Sequence, residues 1–413
     1  MRDEKLMILT MLEEGKITSQ EAIKLLEALE ETDYFMDYGT NEDEEKSINL
    51  EQAKENLIEA LEKNIEDRKE KIENIGIDIG NKLANAFNNL FGTGNLFNLS
   101  GNYKVINTQL EKDISHLDEA SLVVKSINGK IDVKSWGEDK LLIKITYRYK
   151  NNSFTQDNSF YELYEEDNRI IFKPLYTNNV MMDLSLYLPQ KHYKEISLTT
   201  SNGRIQLEDL KLNLLTCNTS NASISLEDIV GENVDISTKN GKINLRDISS
   251  PILKAVSTNA SIKLEDIESR DLMVATKNGR ITLSHIAGEG ITVKSSNGSI
   301  EADNLKGKVI NLDTSNGKII CRDLDDERIR ELNLSTSNST IDVEMNHLSK
   351  MGYYQLETSL GNINLDIPGL VYKENKQIDL GMKKIIAHSI NFNEDEEHFI
   401  LNASTSNGSI KIR

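Results

Sequence analysis

Cysteine, histidine and long apolar runs are all scarce in this 413-residue chain, and each shortage removes a class of function. The two cysteines, Cys217 and Cys321, fall among aliphatic positions and read as small buried hydrophobes, not as a disulfide or a catalytic thiol. His116, His192, His285, His347, His388 and His398 are scattered, without a pair at metal-ligand spacing. No metal and no other cofactor is expected. No stretch approaches the ~20 apolar residues of a membrane span. Met1–Lys5 is charged, and the apolar stretch after it is broken by Glu13 and Glu14, which is not a signal-peptide pattern. Cytoplasmic residence is the default expectation, with surface exposure requiring an unrecognised route. A P-loop, a dinucleotide fingerprint and a Gly-x-Ser-x-Gly elbow are missing as well. Basic charge is also short, with 48 Lys and Arg against 67 Asp and Glu and a formal net charge of −19. Residues 1–75 hold 22 acids and 10 bases, which places −12 of that total in the first part of the chain. So acidic a chain is not expected to bind nucleic acid.

What the chain has in abundance is one unit, copied. The Asn of a Ser/Thr-x-Asn-Gly/Ala signature recurs at Asn202, Asn221, Asn240, Asn259, Asn278, Asn297 and Asn316, always 19 residues apart. With each Asn as position zero, aliphatic residues or Cys recur at −6 and −4, and Thr or Ser at −2. Ile always stands at +3, and small or aliphatic residues at +5 and +8. Alternation on both sides of the Asn predicts two short strands per unit, each with one buried face. A hairpin at the Asn-Gly would not demand identity 19 residues on, whereas a coil stacked on its neighbour does. The pattern predicts a mainly β protein, a parallel β-solenoid with about 19 residues per coil. Its Asn and Thr columns are expected to form hydrogen-bonded ladders at a bend, with Asn or Gly taking the positive φ of the corner. Looser copies at Asn128, Asn338, Leu360-Gly361 and Asn407 bring the total to about eleven coils, a rod of roughly 50 Å at about 4.8 Å per coil. The solenoid is assigned to residues 100–413, with the perfect block at about 196–325. An insertion at about 137–195 is expected to be an antiparallel cap or flank, and a second near 369–396 breaks the period.

Residues 1–32 read as a helical hairpin in which Thr18 and Glu21 form a capping box. So small a unit is expected to self-associate or to dock on a protein partner. An acidic linker over 33–47 leads to an amphipathic helix over 48–91. Its end carries Ile75, Ile79, Leu83, Phe87 and Leu90 with little charge, which suits a cap on the solenoid, a partner surface or peripheral membrane contact.

Two outward columns could bear chemistry. At +7 stand Asp209, Asp228, Asp247, Asp266 and Asp323, interrupted by His285 and Asn304. Calcium repeats need Gly-Gly-x-Gly-x-Asp turns that are missing, so turn capping is the expected role. At +2 stand Arg204, Lys242, Arg280 and Lys318 on alternate coils. They read either as a stripe for an anionic glycan or as spacing that avoids stacked like charges.

The repeats, with Ile131-Asp132-Val133-Lys134-Ser135-Trp136 opening the domain and Leu186-Tyr187-Leu188-Pro189 before the block, resemble the DUF4097 family, which carries a provisional adhesin label. Ile8 to Thr18 followed by Glu21-Ala22 and Leu25-Leu26 resembles the short SHOCT-like module. The combination is similar to YvlB- and LiaX-type proteins of Gram-positive bacteria, and that resemblance implies a link to envelope stress and antimicrobial-peptide responses. The family offers no catalytic motif to transfer. The expectation is a non-enzymatic scaffold, able to attract cationic peptides through its acidity. The alternative is a surface adhesin that binds glycans through the basic stripe.

Overall fold

The computed structural model describes residues 103–150, 160–324, 327–345, 350–377 and 381–413. The expected helices over 1–32 and 48–91, including Ile75, Ile79, Leu83, Phe87 and Leu90, lie outside the described residues.

The described regular structure is a parallel β-solenoid whose 27 strands join in one continuous sheet. Each coil contributes two strand segments meeting at the Asn corner, as Ile252–Ser257 and Ile262–Glu268 do around Asn259. Pairing is parallel and in register from coil to coil: Ile243 opposite Ile262, Leu245 opposite Leu264, Leu253 opposite Leu272. Because register is kept, each inward column is a stack of apolar side chains, and the +3 column is Ile from Ile205 to Ile319. Ile262, Leu264 and Val274 are 0% exposed, and Ile267 and Leu272 are at most 2%. Each buried aliphatic side chain of this size contributes about 1.5–3 kcal/mol, and this repeated interior drives the stacking.

Two residues separate the inward positions +5 and +8, where simple alternation allows one. The backbone resolves this at +7. Pairing passes from Glu227 opposite Glu208 directly to Ile229 opposite Leu210, so Asp228 and Asp209 are left out of the ladder. All seven +7 residues of the perfect block have positive φ, from 48° at Asp323 to 55° at Asp209. One extra residue in the left-handed region restores the inward phase, as a β-bulge does. The left-handed region is most accessible to Gly, Asn, Asp and His, and Asp, His and Asn are the residues present.

The positive φ expected at the Asn-Gly corner therefore sits seven residues further on. None of the seven Asn residues, nor the Gly after them, has positive φ. Glycine serves close approach there instead: a Cβ on Gly298 would lie 1.6 Å from the carbonyl oxygen of Gly279 in the preceding coil. Ala222 and Ala260 hold the same position in other coils, so the requirement differs from coil to coil.

Chain order and stacking order part company at both ends. Leu122 pairs with Ile170 on one side and Ile196 on the other, and Ile131 lies between Leu184 and Ile205. Residues 169–189 thus form an outer coil that the period does not mark, and the 121–136 coil lies inside it. At the other end Leu332 pairs with Leu401, and Leu401 with Tyr354. The C-terminal coil is interior, and residues 352–365 form the outermost one. The insertion expected to be antiparallel is so only in part. Val180–Pro189 turns Val180, Met182, Leu184, Leu186 and Leu188 inward, the face a coil needs. It pairs in parallel with Ile131–Trp136 on one edge and antiparallel with Lys140–Lys150 on the other. Antiparallel strands Tyr103–Asp113 and Tyr161–Glu166 complete that end. Lys383–Ser389 and Leu370–Gln377 lie antiparallel beyond Gly352–Thr358 at the far end. Such strands blunt the edges of a stacked sheet.

Candidate functional site

The corner carries two hydrogen-bonded ladders. On the outside, each Asn side-chain amide donates to the Oδ1 of the Asn one coil below. The chain of bonds runs from Asn407 through Asn338, Asn316, Asn297, Asn278, Asn259, Asn240, Asn221 and Asn202 to Asn128, at 2.6–2.8 Å throughout. Asn128 ends it by donating to the Val180 carbonyl at 3.5 Å. Inside, the buried −2 hydroxyl links two coils. Thr276 Oγ1 donates to the Ala260 carbonyl at 3.1 Å and accepts the Gly279 N–H at 3.2 Å.

The basic stripe is largely neutralised. Arg204 Nε lies 3.6 Å from Asp132, Arg280 Nε 3.5 Å from Glu301, and Lys318 Nζ 3.2 Å from Asp342. Among the described residues Lys242 alone of the four makes no ion pair. These cations are a coil apart from acids at +4, so the stripe is a set of interleaved pairs more than a run of free positive charge. Pairs this exposed contribute little to stability.

The +7 column presents its carboxylates outward, but its composition follows from the bulge. The described residues contain no group of three His, Cys, Asp or Glu placed to hold a metal. Asp228→Asn is expected to be nearly neutral, whereas the β-branched Asp228→Val should cost about 1–3 kcal/mol because of the left-handed backbone. Urea denaturation of the two variants measures the difference.

Both cysteine thiols are buried, and burial first, with the nearby Asp342 second, pushes Cys321 up to about 12. Cys217 is raised in the same way by burial and Asp235. Thiols held protonated are poor nucleophiles. Close to the first insertion, Glu119, Glu166, Asp167, Arg169 and Lys194 line a shallow crease of about 320 Å³. Asp167 and Asn168, at φ of 49° and 60°, form the tight turn between two antiparallel strands there. The crease is a turn surface without the enclosure a hydrolytic carboxylate pair uses.

The fold and these surfaces define a repeat-built β-solenoid. No helix among the described residues is long and apolar enough to cross a membrane. The family model described as Toastrack DUF4097 matches residues 42–267 and 252–413, and the chain belongs to that family. A SHOCT-like domain model matches residues 3–33. No curated protein matches. Among solved structures the chain is similar to a provisionally named cell adhesion protein from Clostridium sporogenes, at 12% identity, covering 75% of this chain and 99% of that one, with a TM-score of 0.24. A provisionally named adhesin from Parabacteroides merdae is 15% identical over 59% of this chain and 95% of that one, with a TM-score of 0.35. A third, from Bacteroides fragilis, is 14% identical over 75% and 97%, with a TM-score of 0.28. Likeness at this level lends no function to the chain.

Proposed function

We propose that the protein is a non-enzymatic binding scaffold that acts in the response of a Gram-positive cell to envelope stress. The supporting observation is the unbroken Asn ladder from Asn128 to Asn407, which devotes the described chain to one extended surface. The SHOCT-like segment supplies the coupling to a protein partner or to a second copy, and the acidic chain attracts cationic peptides. Two measurements on cells test this. A strain lacking the protein should change its sensitivity to a cationic antimicrobial peptide, and unchanged sensitivity overturns the envelope role. Protease shaving of intact cells then separates two modes of action. Cleavage of the solenoid with a cytoplasmic control intact supports capture at the surface. Full protection directs the role to a cytoplasmic partner of residues 1–91 and ends the adhesin reading.

A further inference from the structure

On the outer face of the first coils cations stand on neighbouring strands, and four of those nearest Tyr187 have carboxylate partners. Lys130 pairs with Asp132 at 2.7 Å and Arg204 with the same residue at 3.6 Å. Arg148 pairs with Asp183 at 2.9 Å and Lys140 with Glu111 at 2.6 Å. Lys134 and Lys144 make no ion pair among the described residues. Glu208 is the register partner of Lys134 on one side, without pairing to it. Both ammonium groups lie instead against one aromatic ring, that of Tyr187, with Nζ 5.7 Å and 4.9 Å from its centroid. The chain's one tryptophan completes the group: Trp136 packs on Tyr187 at 5.6 Å between centroids, tilted by 46°. Its ring is fixed by a hydrogen bond from Nε1 to the Lys140 carbonyl at 2.8 Å.

Adjacent parallel strands place these side chains. Lys134 is opposite Tyr187 and Trp136 opposite Pro189, while Lys144 comes from the antiparallel strand beyond. Tyr187 shares the outward face of its strand with Met181, Asp183 and Ser185, where Leu186 and Leu188 point in. Trp136 and Tyr187 are both only half-buried. An outward Trp-Tyr pair flanked by two unpaired lysines is unusual on a protein of net charge −19.

We propose that Lys134, Trp136, Lys144 and Tyr187 form a binding platform for an acidic polysaccharide. The aromatic rings offer an apolar surface with polar edges to the C–H face of a sugar ring. The ammonium groups, drawn to Tyr187 by its ring quadrupole, are free to take the sugar's carboxylates. Two free cations set among Asp132, Asp183 and Glu208 suit a chain with separated charges. They are too few for a polynucleotide, whose affinity is built from many phosphate contacts. The site is separate from the Arg204, Lys242, Arg280 and Lys318 stripe. It rests on the binding-scaffold reading only in being non-catalytic.

Because Trp136 is the only tryptophan, its fluorescence in the full chain reports on the platform directly. Titration with polygalacturonate should shift or quench that emission saturably, and neutral dextran should not. Lys134→Gln with Lys144→Gln should weaken the response at least tenfold while the melting curve stays unchanged. Arg204→Ser, Lys242→Ser, Arg280→Ser and Lys318→Ser together should leave it intact, and raising salt from 50 to 300 mM should reduce it. An equal response to dextran, an unaltered response in the double glutamine variant, or tighter binding of an oligothymidylate would overturn the proposal. None of these outcomes depends on the cell-sensitivity test, so the two readings fail separately.

Discussion

Excision of residues 241–259 is expected to leave a folded, cooperatively melting solenoid one coil shorter. The cut joins Asn240 to Ala260, so every following residue keeps its position relative to the corner. Ile224 and Leu226 would then pair with Ile262 and Leu264 in place of Ile243 and Leu245, the same residue types in the same columns. In a stack where each coil touches only its neighbours, stability is close to a sum over coils and interfaces. A total of about 5–15 kcal/mol spread over the stack leaves each coil about 1 kcal/mol net, so the loss should be of that order. Removing Lys263 alone should do far more harm. Leu264 would turn to solvent and Glu265 would point into the aliphatic interior, between columns where Leu245 is 2% and Leu283 0% exposed. The lost leucine costs about 2–3 kcal/mol and the buried carboxylate several more, enough to open the middle of the rod. Urea denaturation followed by circular dichroism, with limited proteolysis around residue 263, compares the two. If the 19-residue excision is the more damaging, coil-by-coil stacking is not what holds this fold.

The same logic shows what the sequence made legible. Recurrence of apolar residues in the inward columns is a direct consequence of parallel stacking, so the coil length, the buried positions and the solenoid class could all be read from Ile205 to Ile319. Residues whose role depends on backbone conformation were harder. Asp, His and Asn at +7 looked like a broken acidic column because charge was the visible property. What unites them is tolerance of positive φ, and the three-residue step from +5 to +8 was the available signal. Stacking order at the ends was less legible still, because a period counts coils along the chain and says nothing about insertion between them. One clue was present. Leu360 replaces the corner Asn and is 69% exposed, on the coil that lies outermost. A corner Asn on the outermost coil would have a ladder neighbour on one side only, and its replacement by Leu360 marks the end of the stack. Asn407, close to the C-terminus in sequence, keeps its amide because it is inside. The platform around Trp136 and Tyr187 went unread for a related reason. Lys144 comes from a strand outside the repeat, and no spacing rule connects it to Lys134.

Thr276→Val is expected to destabilise the protein by about 2–5 kcal/mol, although valine matches threonine in shape and favours strands. Thr276 is 7% exposed, and its hydroxyl serves two backbone groups of different coils at once, the Ala260 carbonyl and the Gly279 N–H. Valine leaves the buried Gly279 N–H and the part-buried Ala260 carbonyl without that partner, at about 1–3 kcal/mol each. Thr276→Ser keeps the oxygen and should cost less than about 1 kcal/mol, since Ser257 and Ser295 fill the same role natively. The exposed ladder makes the contrast informative. Asn259→Ala breaks the bonds to Asn240 and Asn278, but water can replace both, so a loss of about 1 kcal/mol is expected. Equilibrium unfolding in urea of the three variants ranks them. Should Asn259→Ala prove costlier than Thr276→Val, the outer ladder and not the buried hydroxyl column would be what fixes one coil on the next.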